Sequence, residues 1–161
     1  MRARKSIHPL LLETSYWRNR LKSLNLEQAG LLLHERSDLS GRGRIVVEFH
    51  LRTPEGARIW GLIARPAWTS GPRPACIRSV GPTDLPTLDP EAVEKGLTEV
   101  VYQEPAGRRL EDRVLDALRI RRIAAGSADV DGEQVAFQVP PDQRSCDAVL
   151  IAERLLDSRF S

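Results

Sequence analysis

The stretch from Arg44 to Arg65 constrains the fold of this chain more than any other. Between Arg44 and Arg52, Ile45, Val47, Phe49 and Leu51 alternate with Arg44, Val46, Glu48 and His50. Thr53-Pro54-Glu55-Gly56 supplies a turn. From Ala57 to Arg65, Ile59, Gly61 and Ile63 alternate with Arg58, Trp60, Leu62 and Ala64. A period of two on both arms of a turn specifies an antiparallel hairpin. Apolar residues occupy both sets of positions, so both faces of the hairpin are expected to be partly covered.

Downstream, strands and helices take turns. A Pro/Gly/Ser-rich connection, Pro66 to Pro74, leads to a short strand, Ala75 to Val80. Gly81 to Pro90 is a loop with Pro82, Pro86 and Pro90, and Asp89 caps a short helix that begins at Pro90 and stops at Gly96. Thr98 to Gln103 is a strand carrying Val100, Val101 and Tyr102. The longest helix runs from Leu110 to Ala125, with Leu110, Val114, Ala117, Leu118 and Arg121 on one stripe and Gly126 as its stop. Val130-Asp131-Gly132-Glu133 leads into a strand, Gln134 to Val139, and a helix follows from Cys146 to Leu156.

An antiparallel hairpin followed by strand–helix repeats predicts a three-layer α/β domain of roughly five strands, the hairpin leading into a short parallel sheet. Met1 to Glu13 is expected to be a flexible arm, and residues 14–161 a single α/β domain. Thr14 or Ser15 caps a first helix, with Trp17, Leu21 and Leu24 on one face. Leu26 to Leu33 either continues that helix or packs across it, with Gly30 as an interruption, and His34 to Gly43 is expected to be a loop. The predicted core holds Ile45, Val47, Phe49, Ile59, Ile63, Ile77, Val100, Val114, Leu118, Val135 and Phe137.

Composition bounds the function. The 161 residues are one domain's worth of chain, and with 5% aromatics a core must be built from aliphatic side chains. The 24 basic and 22 acidic residues leave a net charge of +2, too little for a broad field toward nucleic acid or membrane. Arg2, Arg4, Lys5, Arg18, Arg20 and Lys22, with Arg42 and Arg44, are the basis for an alternative, nucleic-acid-associated role. The balanced charge and the absence of a reading motif favour a solvated basic face instead. Cys76 and Cys146 lack metal-ligand spacing and read as two buried thiols in a reducing compartment. No apolar stretch approaches the ~20 residues of a membrane span. Leu10 to Leu12 is too short for a signal sequence, so a cytoplasmic protein is expected.

Candidate chemical residues each have a plain structural reading. Ser145 precedes the last predicted helix, where serine is mostly an N-cap. Cys146 sits in that helix's first turn, opposed by Asp147. His50 reads as a strand-face histidine, His8 lies in the arm, and His34-Glu35 lacks a second histidine at zinc-protease spacing. Three scattered histidines assign no metal site. Asp112 and Asp116, one helical turn apart, read as solvated. Gly41-Arg42-Gly43 precedes a strand, not the helix a phosphate loop needs.

In their order and spacing, several of these segments resemble the N-terminal half of the acetyl xylan esterase and cephalosporin deacetylase group of α/β-hydrolases. Tyr16-Trp17-Arg18-Asn19-Arg20-Leu21 is similar to the group's aromatic first helix. The hairpin from Phe49 to Pro66, ending in Arg65-Pro66, is similar to its hairpin. Val100 to Arg108, Asp112 to Arg119 and Val130 to Ala136 resemble the strand, helix and approach that precede its nucleophile strand. The resemblance covers Thr14 to Phe137 and implies a hydrolase-like fold.

Three departures argue against the chemistry that the resemblance implies. The family's turn after the nucleophile strand carries Gly-x-Ser-x-Gly. Here that turn reads Val139-Pro140-Pro141-Asp142-Gln143-Arg144-Ser145. The loop Arg78-Ser79-Val80-Gly81-Pro82 lacks the histidine of the family's oxyanion-hole loop. The sequence reaches Ser161 before the family's later acid and base are met, and on this reading the last strand keeps an open edge. No catalytic residue, metal ligand or cofactor is therefore assigned. The expectation is a non-catalytic hydrolase-like module, a pseudoenzyme acting through protein–protein interaction or self-association as a homo-oligomer. Trp60 and Trp68 are its candidate binding residues. The alternative is an esterase or deacetylase completed by a partner chain.

Overall fold

The computed structural model describes residues 14–26, 30–68, 71–138 and 143–160. Its elements run α1 (Thr14–Leu26), β1 (Gly30–Glu35), β2 (Arg44–Arg52), β3 (Arg58–Pro66), β4 (Arg73–Val80), α2 (Pro90–Glu94), β5 (Thr98–Gln103), α3 (Leu110–Ala125), β6 (Val130–Phe137) and α4 (Gln143–Phe160). The expected arm, residues 1–13, and the turn residues Val139 to Asp142 lie outside the described residues.

Six strands form one sheet in the order β1-β2-β3-β5-β4-β6. The antiparallel half is β1 to β3, joined to β5 by an antiparallel pair, and β5, β4 and β6 are parallel to one another. The hairpin forms where its alternation and turn require. Gly56, at φ +87°, closes it with its N–H donating to the Thr53 carbonyl at 2.9 Å. At Gly61 the neighbouring strand comes so close that a Cβ would sit 2.1 Å from the Val101 carbonyl oxygen. Only a residue without a side chain lets β3 and β5 pair there.

The sheet has cover on both faces, which makes three layers. On one face Phe49, Leu51, Ile59, Ile77, Val100 and Tyr102 pack with Ile120 and Ala124 of α3. Beyond them, Trp17 and Leu24 of α1, Val114, Ala117 and Leu118 of α3, and Ala148, Ile151, Ala152 and Leu155 of α4 form a helical cluster. On the other face Val46, Leu62 and Ala64 pack with Val93 of α2. Of the predicted core, Phe49, Ile59, Ile77, Val100, Val114 and Leu118 are buried. Ile45, Val47, Ile63, Val135 and Phe137 are half-buried. Val46, Leu62 and Ala64, the outward set of the alternation, are buried because α2 covers them.

Two expectations need correction. Residues 30–35 are neither helix nor loop: they are strand β1, paired along its length with β2 from Gly30↔Arg52 to Glu35↔Val47. Among the described residues the sheet accordingly has six strands. Asp116 is not solvated either. Only 2% of it is exposed, because α3 turns it inward onto Arg108 and Arg119, while Asp112 is half-buried beside them.

Candidate functional site

The parallel strands β4 and β5 end side by side at Val80 and Gln103, and β6 ends at Phe137, beside Ile77 of β4. Open α/β sheets bind ligands outside the carboxyl ends of such strands. Here that place is a crevice of about 820 Å³, walled by the loop Gly81 to Thr87 and floored by Ser79, Glu104, Arg113, Gln138 and Ser145.

Each polar group in the floor is positioned by an element that ends there. Glu104 is the first residue past β5, and its N–H donates to the Val80 carbonyl at 3.0 Å, which ties it to the end of β4. Arg113 projects from the first turns of α3, with its Nε donating to the Arg108 carbonyl at 3.3 Å. Ser145 is the third residue of α4. These three meet. The Ser145 hydroxyl donates to Glu104 Oε2 at 2.8 Å, and Arg113 Nη1 donates both to that same oxygen and to Ser145 Oγ, each at 3.1 Å. Ser145 and Glu104 are 3% and 6% exposed. Beside them the Tyr102 hydroxyl, in hydrogen-bond contact with Ser79, is pushed well above the usual phenol range by burial.

The wall is fastened as firmly as the floor. Glu99, buried on β5, accepts from Arg78 Nη2 at 2.9 Å and from the Asp89 N–H at 2.9 Å. Arg78 also donates to the Thr87 carbonyl. Gln103 Nε2 donates to the Asp84 carbonyl at 2.7 Å, and Gln103 Oε1 accepts from the Trp60 indole at 2.7 Å. The loop Gly81 to Asp89 is thus pinned to β5 from two sides.

Chemically, among the described residues the Ser145 hydroxyl is engaged with a carboxylate and not with an imidazole. A serine attacks only when a base takes its proton. Here the proton of Ser145 points at a carboxylate already bound by a guanidinium. Among the described residues, the histidines are His34 on β1 and His50 on β2, at the far side of the sheet from β6. No group of three or more His, Cys, Asp or Glu side chains among the described residues is placed to hold a metal ion. No helix among them is long and apolar enough to cross a membrane.

The sequence candidates are scattered. Ser145 is not an N-cap: α4 begins at Gln143, two residues earlier, and the Ser145 hydroxyl donates to Glu104 in the floor. Trp60 is half-buried, bonded to Gln103 and stacked on His50 with ring centroids 6.3 Å apart. Trp68 lies past the other end of β3, roughly 25 Å away along the strand. It is 61% exposed, spread over Gly43 and Gly96, where a Cβ would meet its ring at 3.4 and 3.8 Å. The two tryptophans therefore do not form one patch. Cys76 and Cys146 are free and half-buried, not buried, and burial pushes the Cys76 thiol up. Of the basic group, Arg20 is spent on the Tyr16 ring at 4.6 Å and on Glu111 at 3.4 Å, and Arg44 on the Leu39 carbonyl. Gly41, Arg42 and Gly43 are a tight turn, all at positive φ. Sequence reasoning missed Glu104 and Arg113. The available signal was position: Glu104 directly follows a strand end in a parallel sheet, where functional groups gather.

The fold is shared with known esterases. It superposes on an acetyl xylan esterase from Paenibacillus sp. R4 with a TM-score of 0.70 at 14% identity, over 88% of this chain and 55% of that one. It superposes on acetyl xylan esterase 1 from Thermoanaerobacterium sp. JW/SL YS485 with a TM-score of 0.66 at 18% identity, over 93% and 61%. A glucuronoyl esterase from Solibacter usitatus gives 0.61 at 10% identity, over 92% and 60%. The chain spans little more than half the length of these proteins, and at such identities the likeness is one of fold. No protein-family model and no curated protein matches the sequence. The chain has an α/β-hydrolase-like fold.

Proposed function

We propose that this chain is a non-catalytic hydrolase-fold module that acts by association, with a second copy of itself or with another protein. The observation that carries this reading is the state of Ser145. It stands at the start of the helix behind β6, where a hydrolase presents its nucleophile, and its hydroxyl is bonded to Glu104 and Arg113. A serine triad that loses its base loses orders of magnitude in rate. Association is further supported by the exposed leucines Leu32 and Leu33 on edge strand β1 and by the exposed Trp68.

The test is an ester hydrolysis assay on the purified chain with p-nitrophenyl acetate, run beside light scattering at several concentrations. The expected result is no turnover above background and a species larger than 18.0 kDa. Turnover abolished by Ser145→Ala overturns the reading. The crevice of about 820 Å³ supports a second reading, an esterase or deacetylase completed by a partner chain that brings a base. Turnover that appears only when a co-purifying protein is added back selects it.

A further inference from the structure

We propose that β1 is the surface through which two copies of this chain pair, edge to edge and antiparallel about a two-fold axis at Leu32. This rests on the association reading and names its site. Among the described residues, β1 ends the sheet, with β2 on one side and no strand on the other. Its outer backbone groups are therefore open to a further strand. Natural edges are usually guarded by lysine, proline or a bulge. This one carries Leu31, Leu32 and Leu33 in a row, with Leu32 and Leu33 72% and 61% exposed on opposite faces.

Pairing about a two-fold axis perpendicular to the sheet keeps each face on its own side, so residues opposite one another share a face. With Leu32 opposite Leu32 of the second copy, Leu31 stands opposite Leu33, and every leucine of the edge meets a leucine. On one face the register already runs Trp60, His50, Leu32 across β3, β2 and β1. The second copy continues it in reverse, so that the His50–Trp60 stack flanks the new contact on both sides.

Charge selects the antiparallel direction. At the Gly30 end of the edge, Arg52 and Arg58 stand directly opposite each other on β2 and β3, with no ion partner for either among the described residues. Like charges so placed repel. Gly30 puts no side chain between Arg52 and the open edge. The other end carries Glu35 on the edge itself and Glu48 on β2, with Arg36 bound to Glu48 and Asp38, while Arg42 and Arg44 lie in the turn beyond. Antiparallel pairing lays the basic end of one copy beside the acidic end of the other, twice per dimer. Parallel pairing lays like upon like.

The experiment is sedimentation velocity on the full chain from micromolar to millimolar concentration, with folding checked by circular dichroism. The wild type is expected to associate. Leu32→Lys alters an exposed side chain and is expected to weaken association at least ten-fold. Arg52→Glu with Arg58→Glu makes both ends acidic, and His34→Lys with Glu35→Lys makes the acidic end basic. Each double variant is expected to lose self-association, and an equimolar mixture of the two to recover it. A wild type that stays monomeric, or an assembly indifferent to these changes, overturns the proposal. If the dimer forms through β1 and the chain also hydrolyses esters, the surface stands and only the non-catalytic reading falls.

Discussion

Arg108 grips Asp116 with a two-pronged hold, Nε to Oδ2 at 2.9 Å and Nη2 to Oδ1 at 2.7 Å, and both residues are less than a tenth exposed. Arg119 Nη1 adds a third bond at 3.0 Å, and its Nη2 lies 3.9 Å from Glu55 in the hairpin turn. The cluster thereby clamps the β2–β3 turn onto α3. The Asp116 hydrogen bonds raise the Arg108 pKa, while burial pushes the Asp116 carboxyl up. Asp116→Ala leaves two buried guanidinium groups without their shared partner. It is expected to cost about 3–5 kcal/mol in urea unfolding. Replacing Arg108, Asp116 and Arg119 together by Met, Leu and Met is expected to recover most of that loss, since apolar groups of similar volume owe no desolvation.

Gly61→Ala is expected to destabilise by about 3 kcal/mol or more, because the added methyl meets backbone at 2.1 Å and the Phe49 ring at 2.8 Å. Gly30→Ala is the control. Its Cβ meets the Arg52 Cβ at an ordinary 3.6 Å, and a change within about 0.5 kcal/mol is expected. Equilibrium unfolding of the two variants reads the difference.

In the crevice floor, the order of effects tests the assignment of partners. Ser145→Ala removes one donor from Glu104 and is expected to cost about 1–2 kcal/mol. Arg113→Met removes the charge that balances Glu104, 8% of whose side chain is exposed, and is expected to cost about 3 kcal/mol. Equal effects in denaturant melts contradict the placement of Arg113.

On the acid side, Glu48 is held below the usual carboxylate range by its bond to His50 first and Arg36 second. Asp38 is lowered to about 2 by Arg36. A carboxyl depressed in the folded state adds stability above its unfolded pKa and loses it as pH falls through the folded value. Stability is therefore expected to decline from about pH 5 downward and to reach its floor below about pH 2. Glu48→Gln is expected to flatten that decline in a melting-temperature profile. An unchanged slope shows that Glu48 is not the linked group.

The hairpin and α3 were legible because their own residues specify them. Alternation around Thr53 to Gly56 fixed one, and a stripe ending at Gly126 fixed the other. β1 was not legible because nothing in Gly30 to Glu35 distinguishes a strand from a helix end. Its conformation comes from β2, a partner whose pairing is tertiary. The same holds for the crevice. Glu104, Arg113 and Ser145 are separated by 9 and 32 residues and come together only when β5, α3 and α4 pack. Ser145 read as a cap because capping is what a serine near a helix start usually does. Its carboxylate partner came from a different element.

Gln103 sits between the Trp60 indole and the Asp84 carbonyl, and each end of its amide faces a group that cannot reverse its role. An indole N–H only gives, and a backbone carbonyl only receives. A glutamate of the same outline sets a bare oxygen against the Asp84 carbonyl, and a leucine strands both neighbours. The join between β3, β5 and the crevice wall therefore behaves like a keyed plug. Shape admits several side chains at this position, but the polarity at its two ends admits the amide.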